Sequence, residues 1–183
     1  MLIYSMGASI DGFLKDRTGS VDWSVPSDEL FAFHQEQSAA LGAHLLGRKL
    51  YETMQVWETD PQFRQTPADA AWADMWIALP KIVFSRTLTS VDGSNARLAR
   101  GSLREEVAAV LADTDKDVAI GGADLGGQAI EQGLVDEIHI FRYPVLVGGG
   151  TPLLPPIQQT VRFELVETRT FVPSVVFERY RKA

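Results

Sequence analysis

The chain has 183 residues, 24 acidic and 17 basic side chains, a net charge of −7 and 45% hydrophobic residues. That is enough apolar sequence for a substantial core, and no basic run exists to follow a nucleic-acid backbone. Zero cysteines exclude disulfides, thiol catalysis and thiolate-held metals, and His34, His44 and His139 lack metal spacing, so no metal is expected. No apolar run approaches the roughly 20 residues of a membrane-spanning helix, and the start of the chain lacks a basic leader. The expectation is one cytoplasmic domain over residues 1–183 with no membrane partner.

Leu2 to Ser9 reads as a buried first strand that ends in Ser9-Ile10-Asp11-Gly12. A hydroxyl, a carboxylate and a glycine then stand at a strand's C-terminal end, where open α/β sheets place ligands. The same residues also suit a plain Asp-Gly turn. Phe13 to Val25 reads as a loop, in which Trp23 is either a lid over a flat ligand or a plug on the core. Ser27 is a helix N-cap, and Leu30, Phe31, Phe33, His34 and Leu41 give the following helix, from Asp28 to about Ala40, an apolar face.

His44-Leu45-Leu46 reads as a short strand, and Gly47-Arg48-Lys49 opens the next helix with two cations beside free N–H groups. Residues 58–72 read as a polar connection, followed by a short helix through Trp72, Met75, Trp76 and Leu79. Lys81 to Phe84 is a third central strand. It runs into Ser85-Arg86-Thr87, which is either a polar loop start or a seat for an adenosine 2′-phosphate. Leu103 to Leu111 reads as an amphipathic helix.

The stretch from Asp117 to Pro155 is the densest in signal. Val118 to Ile120 is an apolar strand, Gly121-Gly122 a turn, and Asp124 to Glu131 a helix stopped by Gly133. Strand, glycine turn and helix in that order let backbone N–H groups face a phosphate. Ala123 stands where the dinucleotide fingerprint needs its second glycine, and Asp124 also suits an N-cap, so a tight structural turn explains the stretch equally well. A second strand, Ile138 to Val147, breaks at Gly148-Gly149-Gly150. Glu137 and His139 alternate on it and share a face open to a partner copy. Phe163–Glu167 and Val175–Tyr180 form a closing antiparallel hairpin across Thr170 to Ser174. The expectation is an α/β fold, a mostly parallel central sheet with helices on both faces and an antiparallel C-terminal edge.

Taken in order, Ser9-Ile10-Asp11-Gly12, Gly47-Arg48-Lys49, Ser85-Arg86-Thr87, Gly121 to Leu125 and Pro144 to Leu153 resemble the dihydrofolate reductase-like fold. The chain is most similar to the reductase domain at the C-terminus of the riboflavin-biosynthesis deaminase–reductase. That resemblance implies NADPH as cofactor. Gly47, Arg48 and Lys49 would lie at its phosphates, Ser85, Arg86 and Thr87 at the 2′-phosphate, and Gly121, Gly122, Ala123, Asp124 and Leu125 at the pyrophosphate. The backbone of Gly7 and Ala8 would border the nicotinamide, with Ser9, Trp23 and Phe31 toward the substrate.

Trp23-Ser24-Val25-Pro26-Ser27-Asp28 matches the W-x-x-P-x-D pattern of dihydrofolate reductases, which makes Asp28 the first candidate proton donor and Asp11 the second. Asp28 serves that role only if it faces the cleft beneath Trp23, where an apolar wall would raise its pKa. Counted back from Gly47, Phe31 takes the acid's place instead, and Leu50 replaces the usual threonine. The resemblance therefore implies an NADPH-dependent reductase of a small heterocyclic or carbonyl substrate, paired as a homodimer. The alternatives are a true dihydrofolate reductase and a non-catalytic nucleotide-binding protein of the same fold.

Overall fold

The first strand, β1 (Leu2–Ser9), becomes the middle of the molecule. In the computed structural model, which describes residues 1–154 and 156–183, it pairs in parallel with β6 (Asp117–Gly121) on one side and β7 (Glu137–Tyr143) on the other. Pro155, the last residue of the signal-dense stretch, lies outside the described residues. Beyond β6 come β3 (Leu41–Gly47), β4 (Lys81–Phe84) and β5 (Ala96–Leu98), all parallel. Beyond β7 lie β10 (Val175–Lys182) and then β9 (Phe163–Phe171), each antiparallel to its neighbour. The sheet order is β5-β4-β3-β6-β1-β7-β10-β9. The mostly parallel sheet with an antiparallel C-terminal edge is thus present.

Alternation along the strands divides the core between two faces. Leu2, Tyr4, Leu45, Val118, Ile120, Ile138 and Ile140 face α5 (Leu103–Ala112) and α6 (Ala123–Glu131). Phe141, Tyr143, Phe171 and Phe177 receive Leu30 and Phe33 of α1 (Asp28–Ala39) on the opposite face. Leu46 and Val83 receive Tyr51 of α2 (Arg48–Met54) and Trp76 of α4 (Pro67–Ala78) there too.

Most differences from the sequence reading lie at element ends. Ser27 is the N-cap of α1, its hydroxyl accepting from Leu30 N at 3.4 Å. The segment 58–72 is no open connection. It holds the end of α3 (Val56–Thr59), a turn at Pro61–Arg64, and the start of α4, which Thr66 and Asp69 close with reciprocal hydrogen bonds. The strand expected from His44 to Leu46 runs from Leu41 to Gly47. The strand expected to reach Val147 ends at Tyr143, because Pro144 has no N–H to continue the ladder. The hairpin strands are longer than read and joined by three residues, including a cis Val172–Pro173 bond. Two short paired strands, β2 (Phe13–Lys15) and β8 (Thr151–Pro152), had no sequence signal.

Glu137 and His139 do not form an open face. Glu137 exposes none of its surface and accepts hydrogen bonds from Arg179, Arg181 and His139 at 2.7 to 3.0 Å. Burial pushes its carboxyl up, but the bonds from Arg179, His139 and Arg181 outweigh that and hold it at about 2. A buried carboxylate satisfied within its own chain leaves little to offer a partner.

Candidate functional site

The chain leaves β1 through α1 to β3, passing over one face, and leaves β6 through α6 to β7, passing over the other. The two crossovers diverge at the C-terminal ends of β1 and β6, the kind of switch point that opens a crevice. Gly47, Phe84 and Gly121 end the neighbouring strands β3, β4 and β6. Three stretches far apart in sequence, beginning at Gly47, Ser85 and Gly121, are therefore adjacent.

The two glycine turns are in contact. Gly122 is the N-cap of α6 at φ +101°, a conformation that strains any L side chain. A β-carbon there would stand 3.7 Å from both N and Cα of Gly47, which is itself the N-cap of α2. Neither cap supplies a side-chain acceptor, so the first N–H groups of both helices are left for another partner. Two uncapped helix starts against one another, with cations nearby, fit the phosphates of a dinucleotide. Arg48 pairs with Glu52 at 3.0 Å, and Lys49 is exposed. Ser85 Oγ accepts from the backbone N–H of Thr87 and Leu88 at 3.1 and 2.9 Å, which folds the turn that leaves Arg86 and Thr87 exposed. Leu125 is buried in the core, while Ala123 is half-buried. Asp124 does not cap the helix; its carboxylate accepts from Gln128 at 3.0 Å within α6.

On β1, Gly7 lies opposite Phe141 of β7, and Ala8 is buried on the other face. A β-carbon on Gly7 would come 3.2 Å from Cε2 of Tyr143, so the strand is bare beside that ring. Trp23 stands edge-on to Tyr143 with ring centroids 5.9 Å apart, and its indole Nε1 is buried without a partner. Trp23 thus packs, half-buried, against the β7 side. His34 of α1 packs its ring 4.2 Å from that of Phe141, and burial pushes its pKa down to about 4. Phe31 joins a half-buried aromatic group, with Trp57 at 6.1 Å and Trp72 at 5.5 Å.

Neither proposed acid sits under an apolar wall. Asp28 is exposed in the first turn of α1. The carboxylate of Asp11 accepts from Val147 N at 3.2 Å and Gly148 N at 2.7 Å. The hydrogen bond from Ser9 and those backbone N–H groups hold its pKa below the usual carboxylate range. Asp11 is thus an ionised clamp between the loop after β1 and the turn after β7. Ser9, wholly buried, also accepts from Phe13 N at 3.0 Å. Tyr143 and His34 had no place in the sequence-derived site. The Tyr-Pro pair at the strand's end was the one signal available for Tyr143.

A hollow of about 390 Å³ lies at the opposite end of the strands, beside Gly42, Thr114 and Lys116. Lys116 is its one charged lining residue among those described, so it lacks the acid–base groups of a reaction site. Among the described residues no cluster fit for a metal ion occurs, and no helix is long and apolar enough to cross a membrane.

The model of the RibD C-terminal domain matches residues 1–177. Uncharacterized protein YyaP of Bacillus subtilis (strain 168) is 30% identical over 178 residues, covering 96% of this chain and 91% of that protein. Among solved structures, a putative riboflavin biosynthesis protein from Shewanella sp. PV-4 superposes with a TM-score of 0.78 at 24% identity, over 100% of this chain and 98% of that one. Dihydrofolate reductase from Enterococcus faecalis, complexed with NADP(H), gives a TM-score of 0.66 at 18% identity, over 100% of this chain and 96% of that one. These two structures share its fold.

Proposed function

Because the chain belongs to the RibD C-terminal domain family, we propose that it is an NADPH-dependent reductase of a small heterocyclic or carbonyl substrate, similar to the riboflavin-biosynthesis reductase. One observation carries this reading: the uncapped starts of α2 and α6 abut through Gly47 and Gly122, between the strand end bearing Ser85-Arg86-Thr87 and the bare strand at Gly7. That line of strand ends suits a dinucleotide laid across β4, β3, β6 and β1. The solved dihydrofolate reductase of this fold that is complexed with NADP(H) supports the choice of cofactor.

In this reading the N–H groups after Gly47 and Gly122 hold the pyrophosphate, with Gly121, Ala123, Asp124 and Leu125 shaping the turn. Arg48 and Lys49 add charge beside it. Arg86 takes the 2′-phosphate, supported by Ser85 and Thr87, and its guanidinium fork gives the preference for NADPH over NADH. Gly7 and Ala8 border the nicotinamide, which when bound supplies hydride to the substrate. Trp23 and Ser9 close the substrate side, and Phe31 supports it from α1. Asp28 delivers a proton only through solvent, and Asp11 fixes the loop that Ser9 begins. The exposure of Asp28 weighs against a true dihydrofolate reductase. We further propose that the whole chain acts as one domain and pairs as a homodimer, which elution of the purified protein as a 20.2 kDa monomer would refute.

The test is loss of nicotinamide absorbance with pyrimidine, pterin and carbonyl substrates, for the native protein and for Arg86→Ala. Turnover of at least one substrate, with the NADPH preference reduced in the variant, is expected. NADPH binding without hydride loss to any substrate would favour a non-catalytic binding protein.

A further inference from the structure

The core on the α1 face of the sheet is split. One cluster, around Phe141, Phe171 and Phe177, lies over β7, β10 and β9, and the other, around Leu46, Val83 and Trp76, lies over β3 and β4. Between them run β1 and β6, the middle strands of the sheet. By alternation with Tyr4, Ala8 and Ile120, which pack on the other face, they turn only Ser5, Gly7 and Gly121 to this one near their ends. Ser5 and Gly7 are half-buried, although their strand has a neighbour on both sides. Water therefore reaches the middle of the sheet through a slot between the two clusters.

His34 stands on the wall of that slot. It lies one turn beyond Leu30, so the two share a stripe of α1, and Leu30, with none of its surface exposed, fixes that stripe toward the sheet. The imidazole ring is 4.2 Å from that of Phe141, and Phe141 is in register with Gly7. Among the described residues only one histidine is hydrogen-bonded through its ring: His139, to Glu137 at 3.0 Å. The enclosed side-chain atoms without a partner there belong to Trp23, Glu58 and Trp72. His34 is not among them. It is half-buried, and both its ring nitrogens are open to water or a ligand.

We propose that His34 is a catalytic residue, delivering the proton of the reduction to the heteroatom beside the carbon that receives hydride. This rests on the reductase reading above. Neither acid near the crevice does that work, because Asp28 is exposed at the helix start and Asp11 is held ionised at Val147 and Gly148. As the reacting carbon takes hydride from the reduced nicotinamide, the π pair of its C=O or C=N bond moves to the heteroatom. One ring nitrogen of His34 gives that atom its proton, and the other takes a proton from solvent. Such a relay needs two unengaged nitrogens and leaves the ring neutral before and after. Burial, which pushes the ring's pKa down to about 4, keeps it neutral at neutral pH.

The test uses the full-length protein and its His34→Gln and His34→Phe variants, neither of which can relay a proton, with para-nitrobenzaldehyde as the carbonyl probe. Nicotinamide absorbance gives kcat and KM, and fluorescence gives NADP⁺ affinity. The Cε1–H signals of the three histidines, assigned by single substitutions, report each ring by nuclear magnetic resonance. The expected result is a kcat lower by about 100-fold in both variants, the usual scale of a positioned acid–base group. NADP⁺ affinity is kept, and the thermal midpoint of His34→Phe is unchanged or higher, because no bond within the chain is lost. The His34 signal moves when NADP⁺ and the aldehyde are added, whereas that of His139, tied to Glu137, stays. Native-like kcat in either variant would overturn the proposal. So would an unmoved His34 signal in protein that binds NADP⁺, whether or not the aldehyde is reduced. A lowered midpoint with NADP⁺ affinity lost in both variants would make His34 structural. Failure of NADP⁺ to bind the native protein would instead overturn the reductase reading.

Discussion

Gly122 faces Gly47 so closely that a β-carbon added to the first would lie 3.7 Å from the backbone nitrogen of the second. Gly47 in turn has Gly121 O and Leu125 Cβ at 3.8 Å from its own would-be β-carbon. Two helix starts from different halves of the chain are thereby held as one surface of N–H groups. In Gly122→Ala the positive φ is strained, at a cost of about 1 to 2 kcal/mol. Denaturant unfolding should show that loss, and NADPH titration a larger fractional loss of affinity than Ala123→Ser, which leaves the turn intact.

Lys81 is buried at the start of β4, and its Nζ donates to the carbonyls of Trp76, Leu79 and Ser94 at 2.6 to 3.0 Å. Glu58 lies 3.5 Å from it, with 8% of its side chain exposed. The ammonium thus ties the end of α4 and the loop before β5 to the sheet. Lys81→Met leaves three carbonyls unserved and Glu58 without its counter-charge, with only the Ser94 N–H still donating to the carboxylate at 2.8 Å, and should cost about 3 to 5 kcal/mol in urea unfolding. Adding Glu58→Gln should recover part of that loss.

Acid sensitivity follows from groups whose pKa is depressed on folding. Burial lowers His34 from 6.5 to about 4, and burial with the nearby Lys81 charge does the same to His44. The unfolded chain therefore binds more protons than the folded one below about pH 6.5, and stability present above that value is lost as pH falls toward 4. Each histidine adds up to about 1.4 kcal/mol per pH unit to the slope. Glu106, held at about 2 chiefly by Arg97, and Glu137, also at about 2, extend the loss below 4.5. Urea midpoints measured from neutral pH downward should fall in two stages, and His44→Gln should flatten the first.

Asp11 fixes the turn at Val147 and Gly148, and Arg17 donates to the carbonyl of Gly148. In Asp11→Ala the amide protons of those two residues should exchange faster with solvent, and proteases should cut near them sooner. A catalytic acid would show the reverse pattern, lost turnover with unchanged exchange.

Local patterns carried most of the fold. The apolar run of β1, the Ser27 cap and the Gly121-Gly122 turn each depend on neighbours within a few residues, so their physics is readable from the chain. The crevice is different, because it depends on register. Nothing local says that Tyr143 lies opposite Ser9, or that its ring rests on Gly7, until β7 is placed beside β1. Asp28 misled for the same reason. Its W-x-x-P-x-D setting is local, whereas its exposure is set by how α1 lies across the sheet. The buried Glu137 cluster draws on β10, which is 40 or more residues away in sequence. Strand alternation alone therefore gave a false open face.

The most direct measurement is titration of the purified protein with NADPH and with NADH, followed by nicotinamide and tryptophan fluorescence. Micromolar binding of NADPH, with NADH weaker by about tenfold or more, is the result predicted from a charge-assisted contact at Arg86. Binding of neither nucleotide would contradict a cofactor site at Gly47, Ser85 and Gly121, and would leave the abutting glycine turns with a purely structural role.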